Sequence, residues 1–187
     1  MVTYNTKSYF IHESWPSDGF VDIAQLRAGS LDDAQFSLVH RNVIVPCHDA
    51  FIEYELEGKT GILLSRRTTF PLRGFWWTFG GKRTRGLDPE ESLRRRIRTE
   101  SGLELENLIY LGWADTIMDA DPLGHDHGTH TTDLQYFAKG VGELKTDRTH
   151  SEVRVVTPYE YLGGFRGTLH PRLTDFMDLI PGYQPRD

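Results

Sequence analysis

Between Gly80 and Gly102 the chain carries a tightly bounded helix behind a pair of glycines, and this segment constrains the fold more than any other. Asp88 is an N-cap residue, Pro89 suits the first helical position, and Glu91 sits where a capping-box acid belongs. Gly102 is placed to end the helix. The spacing therefore predicts a helix over 89–101, with i,i+4 charge pairs Glu90–Arg94, Glu91–Arg95 and Arg96–Glu100. At 100° per residue, Leu93, Ile97 and Glu100 fall within about 60° of one another. A carboxylate thus lies on the stripe that faces the core. Burying it unpaired is costly, so Glu100 needs a partner. Two partners suit it: Arg96, one turn back, or a metal ion.

Around this helix the pattern alternates strands with short turns. Ser30 starts a short helix, with Asp33 as its capping-box acid. Val43–Pro46 and Phe51–Leu56 read as strands, and Glu57-Gly58-Lys59 turns the latter into a returning strand, Thr60–Ser65. Arg66–Arg73 reads as a loop, followed by a short aromatic segment, Gly74–Phe79. Leu103–Trp113 is a connection and a strand, Ala114–Asp133 a long polar loop, and Leu134–Gly140 and Val153–Val156 are strands. Thr157-Pro158-Tyr159-Glu160 is a second capping box, and an amphipathic helix is expected near Leu173–Ile180. Hairpins outnumber βαβ spacings, so the expected class is α+β. Residues 1–30 are expected to be an N-terminal extension, and 31–187 the folded domain.

The net charge of −6 disfavours a nucleic-acid surface, which needs a basic face, but leaves room for a small anionic ligand at a local basic cluster. A single cysteine, Cys47, excludes an intrachain disulfide and suits a reducing compartment. The first residues lack a signal-peptide pattern and no apolar run approaches a membrane span, so a soluble cytoplasmic protein is expected.

From Gly81 the register is that of a known signature: Gly, five residues, Glu, seven residues, Arg-Glu-apolar-x-Glu-Glu-x-Gly-apolar. Gly81, Arg95, Ile97, Glu100, Gly102 and Leu103 match, while Leu87, Arg96 and Thr99 stand where glutamates belong. The segment resembles the Nudix box. The acid depletion resembles the GDP-mannose mannosyl hydrolase branch of that superfamily. So does the approach to the box, Leu63-Leu64-Ser65-Arg66-Arg67-Thr68, then Pro71, Gly74-Phe75-Trp76 and Gly80-Gly81. Thr149-His150 falls where that branch carries a Gln-His pair.

The resemblance implies a Nudix fold, a mixed β-sheet between helices, and Mg²⁺-dependent hydrolysis of a nucleoside-diphosphate sugar at the glycosyl carbon. Mn²⁺ would serve in place of Mg²⁺, and the protein would be a homodimer. By the same resemblance Glu100 and the Gly81 carbonyl hold the metal, with Glu152 a further candidate ligand. His150 is the general base, Arg67 neutralises the leaving diphosphate, and Asp49 orients the sugar or the base. Arg95 is structural, and Lys82 is a candidate phosphate contact. One carboxylate suits Mg²⁺, which keeps water and substrate oxygens as ligands. Two alternatives stay open: attack at phosphorus, and a non-catalytic domain that binds a nucleotide sugar. His125, His127 and His130, close together in one polar loop, suggest either a transition-metal site or a mobile lid.

Overall fold

The computed structural model describes residues 31–146 and 150–185. The expected extension and Thr149 lie outside them. The described chain is one mixed sheet of seven strands between helices, an α+β fold. Helix α1 (Asp33–Asn42) precedes β1 (Val45–Leu56) and β2 (Lys59–Arg67). Then come β3 (Trp76–Trp77), β4 (Phe79–Lys82) and helix α2 (Pro89–Ser101). Strands β5 (Glu104–Met118), β6 (Thr129–Val141) and β7 (His150–Val156) follow. Helix α3 (Pro158–Leu162), a 3-10 turn (Phe165–Thr168) and helix α4 (Pro171–Met177) complete the domain.

Strand β1 is the axis of the sheet. One edge runs parallel to β6, from Val45–Thr131 to Glu53–Lys139. The other edge is shared: Ile52–Leu56 pairs with β2, and Cys47–Ala50 pairs with β4. Where β2 leaves β1 it pairs with β3 and, across a bulge, with β7. The divergence of β2 from β1 opens the cleft described below.

Successive side chains on a strand face opposite ways, so each strand feeds two cores. Phe51, Ile62, Leu64 and Val156 pack with Tyr161, Leu173 and Met177 on the side of α3 and α4. Their neighbours Ile52, Leu63 and Val155 pack with Leu93 and Ile97 of α2. Residues that look like uniform apolar runs are therefore divided between two helical layers.

Helix α2 has the expected bounds. Asp88 caps it, its carboxylate accepting the Glu91 N–H at 2.9 Å, and Gly102 ends it at φ 72°. Glu91 does not complete a capping box: its carboxylate pairs with Arg95 instead. Arg96 pairs with Glu100, whereas Arg94 donates to the Leu105 carbonyl. The capping box at Thr157 and Glu160 is present.

Four expectations need correction. The first helix is capped by Asp32 with Gln35, not by Ser30 with Asp33. The two strands expected on either side of Cys47 are one continuous β1. The loop expected to start at Arg66 begins later, because β2 runs on through Arg67. Half of the expected polar loop Ala114–Asp133 is paired strand: β5 reaches Met118, β6 starts at Thr129, and the two are in register from Ala114–Asp133 to Met118–Thr129. Its polar residues suggested solvent, yet Thr116, Thr129, Thr131 and Asp133 are all buried. Among the described residues no helix is long and apolar enough to cross a membrane.

Candidate active site

A solvent-open cleft of about 210 Å³ lies at the divergence of β2 from β1. Strand β1 contributes Asp49, β2 Arg67, β6 Thr131 and Asp133, α2 Arg96 and Glu100, and α4 Arg172. Gly80 lets β4 lie close against β1, and Gly81 leaves room for Arg96 of α2. A Cβ on Gly80 would lie 2.3 Å from the His48 carbonyl oxygen and 2.4 Å from Asp49 Oδ1. One on Gly81 would lie 3.2 Å from Arg96 Nη2.

Glu100 is buried. Its Oε1 lies 2.7 Å from Arg96 Nε, and its Oε2 accepts the Gly80 N–H at 3.1 Å. Of the two partners open to this carboxylate, Arg96 is therefore in contact. Arg96 also approaches the Gly80 carbonyl, at 3.4 Å. Its side chain is 44 % exposed, so the guanidinium is free to swing into water.

A second charged group forms the opposite wall. Arg172, nearly buried, places Nη2 2.5 Å from Asp49 Oδ2 and 3.5 Å from Asp133 Oδ1. Its guanidinium lies 5.0 Å from the centre of the Trp77 ring. Asp133 Oδ2 accepts hydrogen bonds from Thr131 Oγ1 at 2.7 Å and Thr116 Oγ1 at 3.1 Å. Burial, then the Asp49 carboxylate, push Asp133 up to about 6, against the pull of Arg172 and the threonine hydroxyls.

A pH dependence follows. Between its ordinary value of 3.8 and about 6, Asp133 holds more protons folded than unfolded. Its contribution to stability therefore falls as pH rises through that window. Urea unfolding of Asp133→Asn should lack this fall. An identical pH slope in variant and wild type would remove Asp133 as its source.

The two remaining cations are differently held. Arg67 Nε donates to the Pro71 carbonyl at 2.9 Å. Lys82 Nζ sits 3.6 Å from the centre of the Phe36 ring, and burial, then Arg96, lower its pKa. A cation whose charge is penalised in this way gains from an incoming anion. Burial, then Asp133 and Asp49, push the Cys47 thiol far up, which leaves it inert as a nucleophile.

Glu100, Gly81, Arg67, Asp49 and Lys82 are thus brought to one cleft. His150 is the cross-strand backbone partner of Arg67 at the bulge. Glu152 is not brought to Glu100: its carboxylate lies 3.8 Å from Arg66, whose guanidinium sits over the Trp76 ring. Arg172 and Asp133 escaped the sequence reading. Alternation of Thr129, Thr131 and Asp133 at period two was a usable signal for a strand with a buried polar face. Nothing around Arg172 marks it, because its partners are on β1 and β6.

The sequence matches the NUDIX domain family over residues 48–179. No curated protein matches. Solved structures share the fold. A MutT protein from Methanosarcina mazei Go1 is 21% identical with a TM-score of 0.55, over 71% of this chain and 89% of that one. The NUDIX domain of Shewanella oneidensis NrtR, complexed with ADP ribose, is 15% identical with a TM-score of 0.53, over 81% and 96%. A MutT/nudix family protein from Enterococcus faecalis is 19% identical with a TM-score of 0.51, over 83% and 56%. With the glycine pair, the capped helix and its buried Glu100 at one cleft, and a family match that runs from within β1 through every later strand and described helix, the chain belongs to the NUDIX domain family.

Proposed function

We propose that this chain hydrolyses a nucleoside-diphosphate sugar, GDP-mannose-like in class, with one Mg²⁺ or Mn²⁺. The observation that carries the reading is the charge balance of the cleft. Asp49 and Asp133 are taken by Arg172, and Glu100 by Arg96, while Arg67 and Lys82 have no carboxylate in contact among the described ion pairs. That leaves two cations for a diphosphate. The ADP ribose in the NrtR structure, a sugar on a nucleoside diphosphate, is a ligand of the same kind.

The donor set fits one Mg²⁺ rather than several. Glu100 is the carboxylate whose arginine is half exposed, and Mg²⁺ completes its shell with water and phosphate oxygens. Glu100 and the neighbouring glycine backbone would hold it once Arg96 swings away. Bound there, the ion would add positive charge at the leaving diphosphate. Arg67 and Lys82 hold the diphosphate from the protein side. Arg172 holds Asp49 in place at the cleft wall, where its carboxylate is available to a sugar hydroxyl. Water attacks the anomeric carbon, the bond to the diphosphate oxygen breaks with its electron pair, and His150 takes the water proton.

Incubation with a panel of nucleotide sugars and Mg²⁺ in ¹⁸O water tests this. Free sugar carrying the label, with nucleoside diphosphate as co-product, is the expected outcome. Label in phosphate would replace it with attack at phosphorus. Binding without turnover would favour the second reading, a nucleotide-sugar-binding domain, which the Arg96–Glu100 pair supports. His150→Ala should lower kcat by roughly 10²–10⁴-fold with less change in KM. It should also remove a rise in rate near neutral pH, where histidine as a residue type titrates. An unchanged rate and profile would move the base elsewhere. The reading includes a homodimer, for which edge strand β5, with exposed Trp113 and Ile117, is the candidate surface; sedimentation velocity checks it.

A further inference from the structure

We propose that the loop between β5 and β6, together with α1, forms a second metal site for a Zn²⁺-class transition ion. Its ligands are Asp121 Oδ2, His125 Nδ1 and His127 Nε2, with Ser37 Oγ or a water in the fourth position. These three side chains offer ligand atoms that all lie within 4.8 Å of one another.

The loop prepares the carboxylate for this role. Asp121 is fully buried, and its Oδ1 accepts the backbone N–H groups of Leu123 and His125, both at 2.9 Å. Its Oδ2 is thereby turned to the imidazoles, 2.9 Å from His125 Nδ1 and 3.3 Å from His127 Nε2. Backbone donors that fix one carboxylate oxygen and aim the other are the usual support of a ligating carboxylate. From α1, Ser37 Oγ lies 3.0 Å from the same His125 nitrogen and 3.4 Å from the same His127 nitrogen. A tetrahedral ion with bonds of about 2.0–2.1 Å holds its donors roughly 3.3 Å apart. The four contacts lie near that edge length.

Charge points the same way. Among the described residues the ion-pair partners of Asp121 are His125 and His127 alone. The Asp121 carboxylate is fully buried, and a divalent cation shared with the two imidazoles would meet its charge. Two imidazoles with oxygen donors suit Zn²⁺ and its neighbours rather than Mg²⁺. One helical turn beyond Ser37, the buried His40 donates to or accepts from Thr129 through Nδ1, and among the described residues its Nε2 has no hydrogen-bond partner. His40 interacts electrostatically with Asp121 and His127. It offers a further polar atom beside the cluster.

The site has a consequence for the cleft. Phe36 and His40 of α1, and Pro122, Met118 and Thr129 at the loop and its ends, line the same cleft as Glu100. An ion joining Ser37 or its water to Asp121, His125 and His127 fastens the loop to α1 as one wall of that cleft. This inference does not depend on which nucleotide the cleft takes.

Untagged protein, stripped with chelator and kept in excess Mg²⁺, is titrated with Co²⁺ and then with Zn²⁺. The expected result is one equivalent of Co²⁺ with the intense visible bands of four-coordinate geometry, displaced by Zn²⁺. Amide exchange over 119–128 should slow when Zn²⁺ is added. His125→Ala and His127→Ala, both at solvent-reachable rings, should each weaken binding by on the order of 10²-fold with circular dichroism unchanged. His130→Ala is the control: its ring faces Asp115, at 3.9 Å, and binding should be retained. The site is refuted if no Co²⁺ binds the folded protein tighter than about 10 µM, or if both histidine variants bind as wild type. Binding without slower exchange in the loop would refute its fastening to α1.

Discussion

Replacing Arg172 with methionine is expected to destabilise the fold by about 3–5 kcal/mol, the usual cost of leaving a buried charge without its partner. The reason is the geometry of the cleft wall. One guanidinium, 9 % exposed at the side chain, serves both Asp49 at 2.5 Å and Asp133 at 3.5 Å. Methionine matches much of the volume and can still pack on Trp77, so the loss reports charge rather than a cavity. The penalty should be larger at pH 8 than at pH 5, because Asp133, already raised to about 6, can shed its charge in the more acidic solution. Asp133→Asn in the methionine background should recover part of the loss, since it removes one of the two stranded charges. Urea unfolding of the single and double variants at both pH values checks this. A penalty below about 1 kcal/mol, or one that does not change with pH, would show that the three groups are not an interdependent unit.

Glu100→Gln is expected to leave the fold intact and to reduce Mg²⁺-dependent turnover by roughly 10³-fold, the scale of several kcal/mol of metal-derived stabilisation. The amide oxygen of glutamine can still accept the Gly80 N–H, and Arg96, which loses its ion pair, is half exposed and can turn to water. The cleft therefore loses a negative ligand without gaining a buried unpaired charge. Activity as a function of Mg²⁺ concentration, alongside denaturant unfolding, separates the two effects. Full activity at limiting Mg²⁺ would remove Glu100 as the ligand. The companion variant Arg96→Gln should act in the opposite sense on metal affinity, because in the present geometry Arg96 and a cation compete for the same carboxylate oxygen.

The helix that anchors the cleft was legible in the sequence because everything that bounds it is local. The Asp88 cap acts three residues away, Pro89 fixes its own φ, and Gly102 supplies the left-handed turn at its own position. The β1–β2 hairpin and the Thr157 capping box were legible for the same reason. The buried face of α2 also followed from period alone, and with it the unusual position of Glu100. Whether Glu100 faced Arg96 or an ion did not follow, since both lie within reach of one side chain.

The polar half of the cleft was decided by tertiary structure. Cys47, His48 and Asp49 looked like a gap between two strands, and Ala114–Asp133 like a loop, because polar residues in sequence suggest water. Their partners come from distant parts of the chain: Ser92 of α2 for His48, Arg172 of α4 for Asp49 and Asp133, and β5 for β6. A polar residue is stable in an interior only when its hydrogen bonds and charge are met there. That condition is set by the packing of β1, β6 and α4, which no local pattern encodes. The sequence determined the helix, its caps and the position of the buried acid; the fold decided which polar side chains would meet inside it.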